Sequence, residues 1–187
     1  MSKRDIYLVF TRTGTWLSRL ISIFSDIQYP HASISFDDNF TEMYSFGRKN
    51  PNNPLSGGFT VEDLSGGVFS KNPGCKCLIF KLKVSEEQYA SLKGYIGGFS
   101  SSQDKYRYNF LGLCSILFNV PLKRKHHYFC SQFVSEALIQ SNVIKPDKAP
   151  ELTRTDDLYT IRNRELLYEG FVNERCSIRS FAQASAC

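Results

Sequence analysis

The apolar run at residues 6–10, Ile-Tyr-Leu-Val-Phe, is the feature that most constrains the fold of this chain. Five consecutive apolar residues are typical of a strand that is covered on both of its faces. Residues 77–84 predict a second strand, because Leu78, Phe80 and the apolar residues at 82 and 84 recur at every other position. The rest of the chain therefore has to supply elements that pack on both sides of a sheet.

Shorter patterns complete the predicted order of elements. Residues 31–36 and 40–46 flank the turn signal Asp37-Asp38-Asn39, so 31–46 is predicted to be a hairpin. Residues 47–74 form a long excursion rich in Gly, Pro and Asn, with short strands expected near 59–61 and 67–69. Helices are predicted at 15–25, at 85–99 behind the capping box Ser85-x-x-Gln88, at 106–118, at 129–141 and at 155–167, and the tail 171–187 is expected to add a strand. This order predicts an α+β domain, a mainly antiparallel sheet with helices packed against it.

Length and composition limit the class of protein. A chain of 187 residues is room for one domain, so 1–187 is predicted to be a single domain. No window approaches the length of an apolar membrane span, and the N-terminus lacks the features of a secretory signal, so a cytoplasmic location is expected. The net charge of +5 is mild, and its densest run, residues 123–127, is too short for a nucleic-acid tail. No nucleic-acid partner is therefore expected.

Six cysteines are spaced without a repeat, so reduced thiols are expected rather than a disulfide framework. Cys130 differs from the other five because it stands at the start of the helix predicted at 129–141. The partial positive charge of a helix N-terminus stabilises a thiolate, which is the nucleophilic form. The plainer interpretation is a core cysteine, since residues 133, 134, 137 and 138 place Cys130 on the inward stripe of its helix.

His31 opens a predicted strand and is the candidate partner of Cys130. A helix-start cysteine with a strand-edge histidine is the minimum for a thiolate–imidazolium pair. A third group should orient the imidazole, and the pleat of the hairpin decides which one. A two-residue turn puts Glu42 and Tyr44 on the His31 face, whereas a three-residue turn puts Met43 and Ser45 there. Glu42 is the preferred third residue and Ser45 the alternative.

Three blocks of sequence together resemble a known family. They are Thr11-Arg12-Thr13-Gly14-Thr15-Trp16-Leu17 after the first strand, Tyr29-Pro30-His31-Ala32-Ser33-Ile34, and Tyr128-Phe129-Cys130-Ser131-Gln132-Phe133-Val134. In this order and spacing they are similar to the circularly permuted NlpC-type papain-like hydrolases, the YiiX/YaeF-like group. In ordinary papain-like enzymes the cysteine precedes the histidine, and here it follows. The resemblance covers about residues 5–170.

The resemblance implies a permuted papain-like fold and a cysteine amidase or peptidase that uses a Cys–His dyad. The nucleophile and the histidine of that dyad correspond to Cys130 and His31. The polar residue that orients the histidine corresponds to a position on the return strand of the hairpin, which contains Glu42. Tyr108 matches a tyrosine that ordinary NlpC-type enzymes place upstream of the cysteine, so it is a candidate substrate-binding residue. Substrates of related members include peptides, N-acyl amino acids and lipid acyl groups, which leaves a small-molecule, peptide or acyl substrate open. No cofactor is implied.

Three alternatives compete with this interpretation. A zinc site could draw on His126, His127, Cys130 and the pair Cys75-x-Cys77, although the last pair lacks the spacing of a zinc knuckle, so no metal ligand is assigned. A non-catalytic binding module could keep the same fold. A lipid acyltransferase or thioesterase would differ from the hydrolase only in its acceptor.

Overall fold

A computed structural model describes residues 2–13, 26–48 and 56–175 of the chain. The helix predicted at 15–25 and nearly all of the predicted C-terminal strand lie outside these residues. Within them, the strands are β1 (Lys3–Arg12), β2 (His31–Ser35), β3 (Met43–Arg48), β4 (Gly57–Glu62), β5 (Lys76–Ser85), β6 (Arg107–Tyr108), β7 (His127–Tyr128) and β8 (Arg164–Phe171). The α-helices are α1 (Gly67–Ser70), α2 (Glu86–Ser100), α3 (Phe110–Ser115) and α4 (Cys130–Gln140). Single 3₁₀ turns occur at Gln103–Lys105, Ile116–Phe118, Pro150–Leu152 and Asp157–Thr160.

Six strands form one antiparallel sheet in the order β4-β3-β2-β1-β5-β8. The short strands β6 and β7 pair separately and in parallel. This arrangement confirms the predicted α+β class and the mainly antiparallel sheet. It also confirms the hairpin, since β2 and β3 pair directly. No helix among residues 2–13, 26–48 and 56–175 has the length and apolarity needed to cross a bilayer.

Both faces of the central strand β1 are buried, as its apolar run predicts. Ile6, Leu8 and Phe10 point into the larger core, where α2 and α4 pack on the sheet. Tyr7 and Val9 point into a smaller core on the opposite face. Alternate residues of one strand therefore serve two hydrophobic layers, and each side chain removed from water contributes about 1.5–3 kcal/mol of transfer free energy.

An aromatic cluster joins the sheet to the helices. Phe46 on β3 has no exposed surface, and its ring lies 5.1–6.2 Å, centroid to centroid, from five other rings. Those rings come from β4, α2, β7, α4 and the residue before β6: Phe59, Phe99, Tyr128, Phe133 and Tyr106. Edge-to-face and tilted ring pairs of this kind stabilise a core beyond simple area burial.

The capping box predicted before α2 is present. The backbone N–H of Gln88 donates to the Ser85 hydroxyl at 3.2 Å, and the backbone N–H of Ser85 donates to Gln88 Oε1 at 2.9 Å. Two amides at the start of the helix are thereby satisfied by local side chains. The helix consequently begins where its sequence predicts, and its stripe of Leu92, Ile96 and Phe99 is buried against the sheet.

Three predicted elements differ in the structure. The strand expected near 67–69 is the short helix α1, which buries only Phe69. The helix expected at 106–118 is divided into β6, α3 and a 3₁₀ turn, because the Asn109 side chain caps a new helix start by accepting from Gly112 N–H at 3.0 Å. The helix expected at 155–167 is a 3₁₀ turn followed by β8, whose backbone pairs with the edge of β5. Pairing with an open sheet edge outweighs helix periodicity there.

Candidate active site

Cys130 is the first residue of helix α4. Phe129 precedes it as the N-cap in extended conformation, and no side chain caps the helix start. The first amides of a helix have no partner within the helix, so they leave partial positive charge beside the Cys130 sulfur. The Phe133 N–H is the first to close a turn, donating to Phe129 O at 3.0 Å. Cys130 is 3% exposed, as its position on the inward stripe predicts.

His31 is the first residue of β2, at the end of the sheet where α4 begins. The Cys130 thiol donates to the backbone oxygen of Pro30, with Sγ at 3.7 Å. The thiol also interacts with the imidazole of His31, and this interaction is one of the causes that raise the pKa of His31. The His31 side chain keeps 19% of its surface exposed. Sulfur and imidazole, far apart in the chain, therefore meet at a point that solvent reaches from the histidine side.

Glu62, the last residue of β4, supports the other side of the imidazole. Its two carboxylate oxygens lie 3.0 and 2.9 Å from His31 Nε2. The Ser33 hydroxyl donates to the same carboxylate at 2.9 Å. Glu62 and Cys130 are the two groups whose interactions raise the pKa of the imidazole. The three side chains thus form a chain of thiol, imidazole and carboxylate, the arrangement in which a carboxylate fixes the tautomer and orientation of a histidine.

The charge of this site favours a protonated histidine. Burial by itself lowers the pKa of His31, but the negative charge of Glu62 and hydrogen bonds with Cys130 and Glu62 outweigh it. The pKa of His31 is consequently raised well above its ordinary value. A proton that passes from Cys130 to His31 is therefore held beside a carboxylate, which is the electrostatic setting that favours a thiolate–imidazolium pair.

Tyr108 adjoins the thiol from a third direction. It is a buried residue of β6, and its side chain interacts with Cys130. Burial is the main cause that raises the pKa of the Tyr108 hydroxyl, and the nearby Cys130 raises it further. A Cβ added at Gly57 of β4 would lie 2.6 Å from the Cβ of Tyr108, so strand β4 approaches Tyr108 this closely only with glycine there.

The preferred third residue, Glu42, lies away from the imidazole. Ser35 pairs with Met43, so Met43 and Ser45 rather than Glu42 and Tyr44 share the face of His31. The exposed Glu42 carboxylate instead accepts from the Tyr44 hydroxyl at 2.9 Å. The alternative residue, Ser45, is on the correct face and buried, but its hydroxyl donates to the backbone oxygen of Ala32 at 2.6 Å.

Glu62 is the site residue that sequence reasoning did not identify. Strand β4 pairs with β3 so that Glu62 is opposite Met43, which places it on the same face as His31. One signal was present, because the short strand predicted near 59–61 ends just before an acidic residue. That strand lies within a long irregular stretch, however, so its register against β3 could not be predicted from the sequence. The register decides which face of the sheet a side chain occupies.

The residues of the zinc alternative do not come together. Cys75 and Cys77 are buried in the smaller core on the far face of the sheet, and burial raises the pKa of the Cys75 thiol to about 11. His127 Nδ1 is hydrogen bonded to the backbone oxygen of Lys125 at 2.8 Å. Across the described part of the chain, no three His, Cys, Asp or Glu side chains are grouped as metal ligands.

No family model matches the chain, and no curated protein or solved structure is similar enough to count as a match. The resemblance to permuted NlpC-type hydrolases therefore stays a prediction from sequence motifs.

Proposed function

We propose that this chain is a cysteine hydrolase of the amidase or peptidase type. The observation that carries the proposal is the grouping of three side chains. The Glu62 carboxylate is hydrogen bonded to the His31 imidazole, and the Cys130 thiol at the start of α4 contacts Pro30, the residue before His31, and interacts with the imidazole. Each group has the chemical type that its place requires: a nucleophile, a proton carrier and an anion that orients the carrier. Permuted NlpC-type enzymes would have this histidine-before-cysteine order, so a permuted papain-like fold is part of the proposal.

The reaction begins with proton transfer from Cys130 to His31, which the raised pKa of His31 favours. The thiolate attacks the carbonyl carbon of an amide or ester, and the carbon–oxygen double bond becomes an oxyanion. Collapse of this intermediate breaks the bond to the leaving amine or alcohol, which takes its proton from His31. A thioester remains on Cys130. His31 then accepts a proton from water, and the hydroxide attacks the carbonyl carbon of the thioester. Collapse of this second intermediate breaks the carbon–sulfur bond and releases the carboxylic acid, and the Cys130 thiolate takes its proton back from His31.

The oxyanion would be stabilised at the start of α4. The Cys130 backbone N–H belongs to the first turn, where amides have no partner within the helix, and it is adjacent to the reacting sulfur. The Tyr108 hydroxyl is a second donor beside that sulfur, and its raised pKa keeps it protonated at neutral pH. Fixed donors of this kind act where negative charge develops. Tyr108 is thus proposed to contact the substrate carbonyl.

Reduced thiols agree with the compartment expected from the sequence. The cysteines at 75, 114 and 130 form no disulfide. Cysteines in this state are typical of reducing compartments, so the proposed location of the enzyme is the cytoplasm.

Labelling with an acyl-type, thiol-reactive probe tests the nucleophile. Cys130→Ala is expected to abolish the labelling that is seen near neutral pH. Cys114→Ala is the matched control, because Cys114 is an exposed cysteine outside the site and its loss should leave the neutral-pH labelling in place. Undiminished labelling of Cys130→Ala would contradict the assignment, since another cysteine would then be responsible.

A further inference from the structure

The segment 110–118 combines a buried apolar face with an exposed apolar face. It contains no charged residue and consists of α3 and the 3₁₀ turn that follows it. Phe110, Leu113 and Ile116 pack against the larger core. On the other side, Leu111 is 60% exposed and Phe118 is 78% exposed, and the side chain of Cys114 between them is also exposed.

This outer face is unusual for the surface of a globular protein. Leu111 and Cys114 are three residues apart on the outer face of α3, and Phe118 ends the 3₁₀ turn that follows it. A solvated helix face normally carries polar side chains. Val120, 53% exposed, extends the apolar surface toward the next segment. A contiguous exposed apolar patch marks a surface that associates with something else.

The stretch of chain that contains the patch is basic. Residues 105–135 contain no Asp or Glu, although the chain has 18 acidic residues in all. The same stretch contains five basic residues: Lys105, Arg107, Lys123, Arg124 and Lys125. The Lys123 side chain is 79% exposed, and its contact with Glu151 is long, at 4.0 Å. Apolar side chains bordered by solvated cations complement a surface that is apolar inside and anionic outside.

The basic stretch and the apolar helix are held together by Asn109. Its side-chain amide donates to the backbone oxygen of Leu122 at 3.3 Å, while its carbonyl oxygen accepts from Gly112 at the start of α3. Arg124 Nη1 contacts the same oxygen at 3.5 Å. The N–H of Arg107 donates to the His126 backbone oxygen at 2.8 Å. The apolar segment and the basic run are therefore held against one another. We call the exposed side chains of these two parts, from Leu111 to Lys125, the Leu111–Lys125 surface.

We propose that the Leu111–Lys125 surface docks on an anionic lipid bilayer. The short helix α3 and the 3₁₀ turn after it together span roughly 15 Å, which is far short of the roughly 30 Å hydrocarbon core, so the segment would lie in the interface rather than cross it. Leu111 and Phe118 would enter the acyl boundary, and Lys123 and Lys125 would contact the headgroups. A second copy of this chain is a poorer partner, since a symmetric contact would bring the basic groups of the two copies together.

This surface also adjoins the candidate site. Helix α3 follows Tyr108 after one residue, and the basic run leads into Tyr128 and then Cys130. Docking would therefore bring the start of α4 to the lipid–water boundary. The proposal stands on exposed apolar area and charge, so it does not depend on the chemistry assigned to Cys130.

Vesicle co-sedimentation tests the proposal. The full chain is expected to bind vesicles made from one part phosphatidylglycerol to two parts phosphatidylcholine, and to bind pure phosphatidylcholine much less. Leu111→Ser/Phe118→Ser and Lys123→Ala/Lys125→Ala should each lower the partition coefficient by about tenfold or more. High salt should weaken binding of the wild type more than binding of the lysine variant. Thermal melting shows whether each variant is folded.

Matched controls separate this surface from general effects of polarity and charge. Val68→Ser/Leu166→Ser removes two other exposed apolar side chains, and Lys71→Ala/Lys145→Ala removes two other exposed lysines. Both control variants should bind anionic vesicles as well as the wild type does. Cys130→Ala should also bind them, so a failure of the proposed hydrolase chemistry can be distinguished from a failure of vesicle binding. The proposal is overturned if the wild type does not bind anionic vesicles, or if the two surface variants bind as well as the controls. It is also overturned if Leu111→Ser/Phe118→Ser converts a dimer to a monomer without changing vesicle binding.

Discussion

At the scale of single residues, the contact between His31 and Glu62 determines the charge of the candidate site. Both oxygens of the carboxylate lie within 3.0 Å of Nε2, and the side chains of His31 and Glu62 are only 19% and 15% exposed. At that burial, solvent screens the pair less than it screens a surface ion pair. The carboxylate is therefore expected to control how readily the imidazole holds a proton for Cys130.

Replacing this carboxylate should change the reactivity of the thiol. In Glu62→Gln the imidazolium loses its counter-ion, so the pH midpoint for alkylation of Cys130 by iodoacetamide should move upward, and the rate near pH 6 should fall by about tenfold or more. Ser33→Ala is the matched control, because it removes one hydrogen bond to Glu62 but keeps the negative charge. An alkylation profile in Glu62→Gln that overlays the wild-type profile would show that Glu62 does not act on the thiol.

The same contact predicts how stability depends on pH. The pKa of His31 is raised in the folded state, so the folded protein holds this proton to higher pH than the unfolded chain does. Its stabilising contribution is complete below about pH 6.5, the ordinary histidine pKa, and is lost as pH rises through the folded-state value. Urea unfolding at a series of pH values from 6 upward should show that the stability advantage of wild type over Glu62→Gln shrinks. An advantage that is constant or grows with pH would contradict this sign.

Local pattern was enough to predict the elements that carry Cys130 and His31, because the structure has a helix that begins at Cys130 and a strand that begins at His31. The third group could not be chosen in this way, because the choice between Glu42, Ser45 and Glu62 depends on two strand registers. Those registers are set by backbone pairing between segments that are separated in the chain.

At the scale of elements, the close approach of β4 to β6 connects two sides of the candidate site. Strand β4 carries Glu62 and strand β6 carries Tyr108, and they meet at Gly57. Because the nearest atom is the Cβ of Tyr108, which is fixed to the backbone, a side chain at 57 cannot be accommodated by a change of rotamer. One of the two strands would have to move.

Gly57→Ala is therefore expected to destabilise the protein by about 1–3 kcal/mol and to slow alkylation of Cys130. Gly94→Ala on α2 is the opposite control, because a Cβ there meets no atom within 4 Å and the helix should gain about 0.5–1 kcal/mol. Urea unfolding measures both changes. A stability for Gly57→Ala equal to wild type would mean that β4 and β6 are not packed so tightly.

Element prediction was most accurate where local chemistry marks both type and boundary. The capping box at Ser85 and the alternation at 77–84 were sufficient for α2 and β5. Strand β8 was missed because its residues are mostly exposed and mimic a helical repeat, so its pairing partner rather than its own pattern determines its structure. The division of 106–118 depends on one buried side chain, Asn109, whose capping role needs the tertiary setting.

At the scale of the whole molecule, the sheet and the two long helices are joined by aromatic rings around Phe46. Phe46→Ala should lower the free energy of unfolding by about 3–5 kcal/mol, because it removes a fully buried ring and leaves a cavity between layers. Phe118→Ala, at the 78% exposed ring, should change it by less than about 0.5 kcal/mol. Chemical denaturation of both variants provides the comparison. Equal losses would mean that Phe46 is not central to packing.

The antiparallel α+β arrangement was predictable from the order of strand and helix patterns, since those patterns also decide which faces must be covered. What could not be predicted is which strand ends meet. The order β4-β3-β2-β1-β5-β8 places a strand from the Gly-rich excursion at one edge, next to the hairpin. Long-range pairing of this kind is a property of the assembled sheet and has no local signal.

The separation of Pro30 from Cys130 by 100 positions has a consequence for biosynthesis. A ribosome releases both the histidine strand and the glutamate strand well before it translates α4. The emerging polypeptide can therefore bring His31 and Glu62 together before Cys130 is made. The proposed reaction would become possible only when α4 docks, so a translation product that ends before residue 130 would lack the proposed nucleophile.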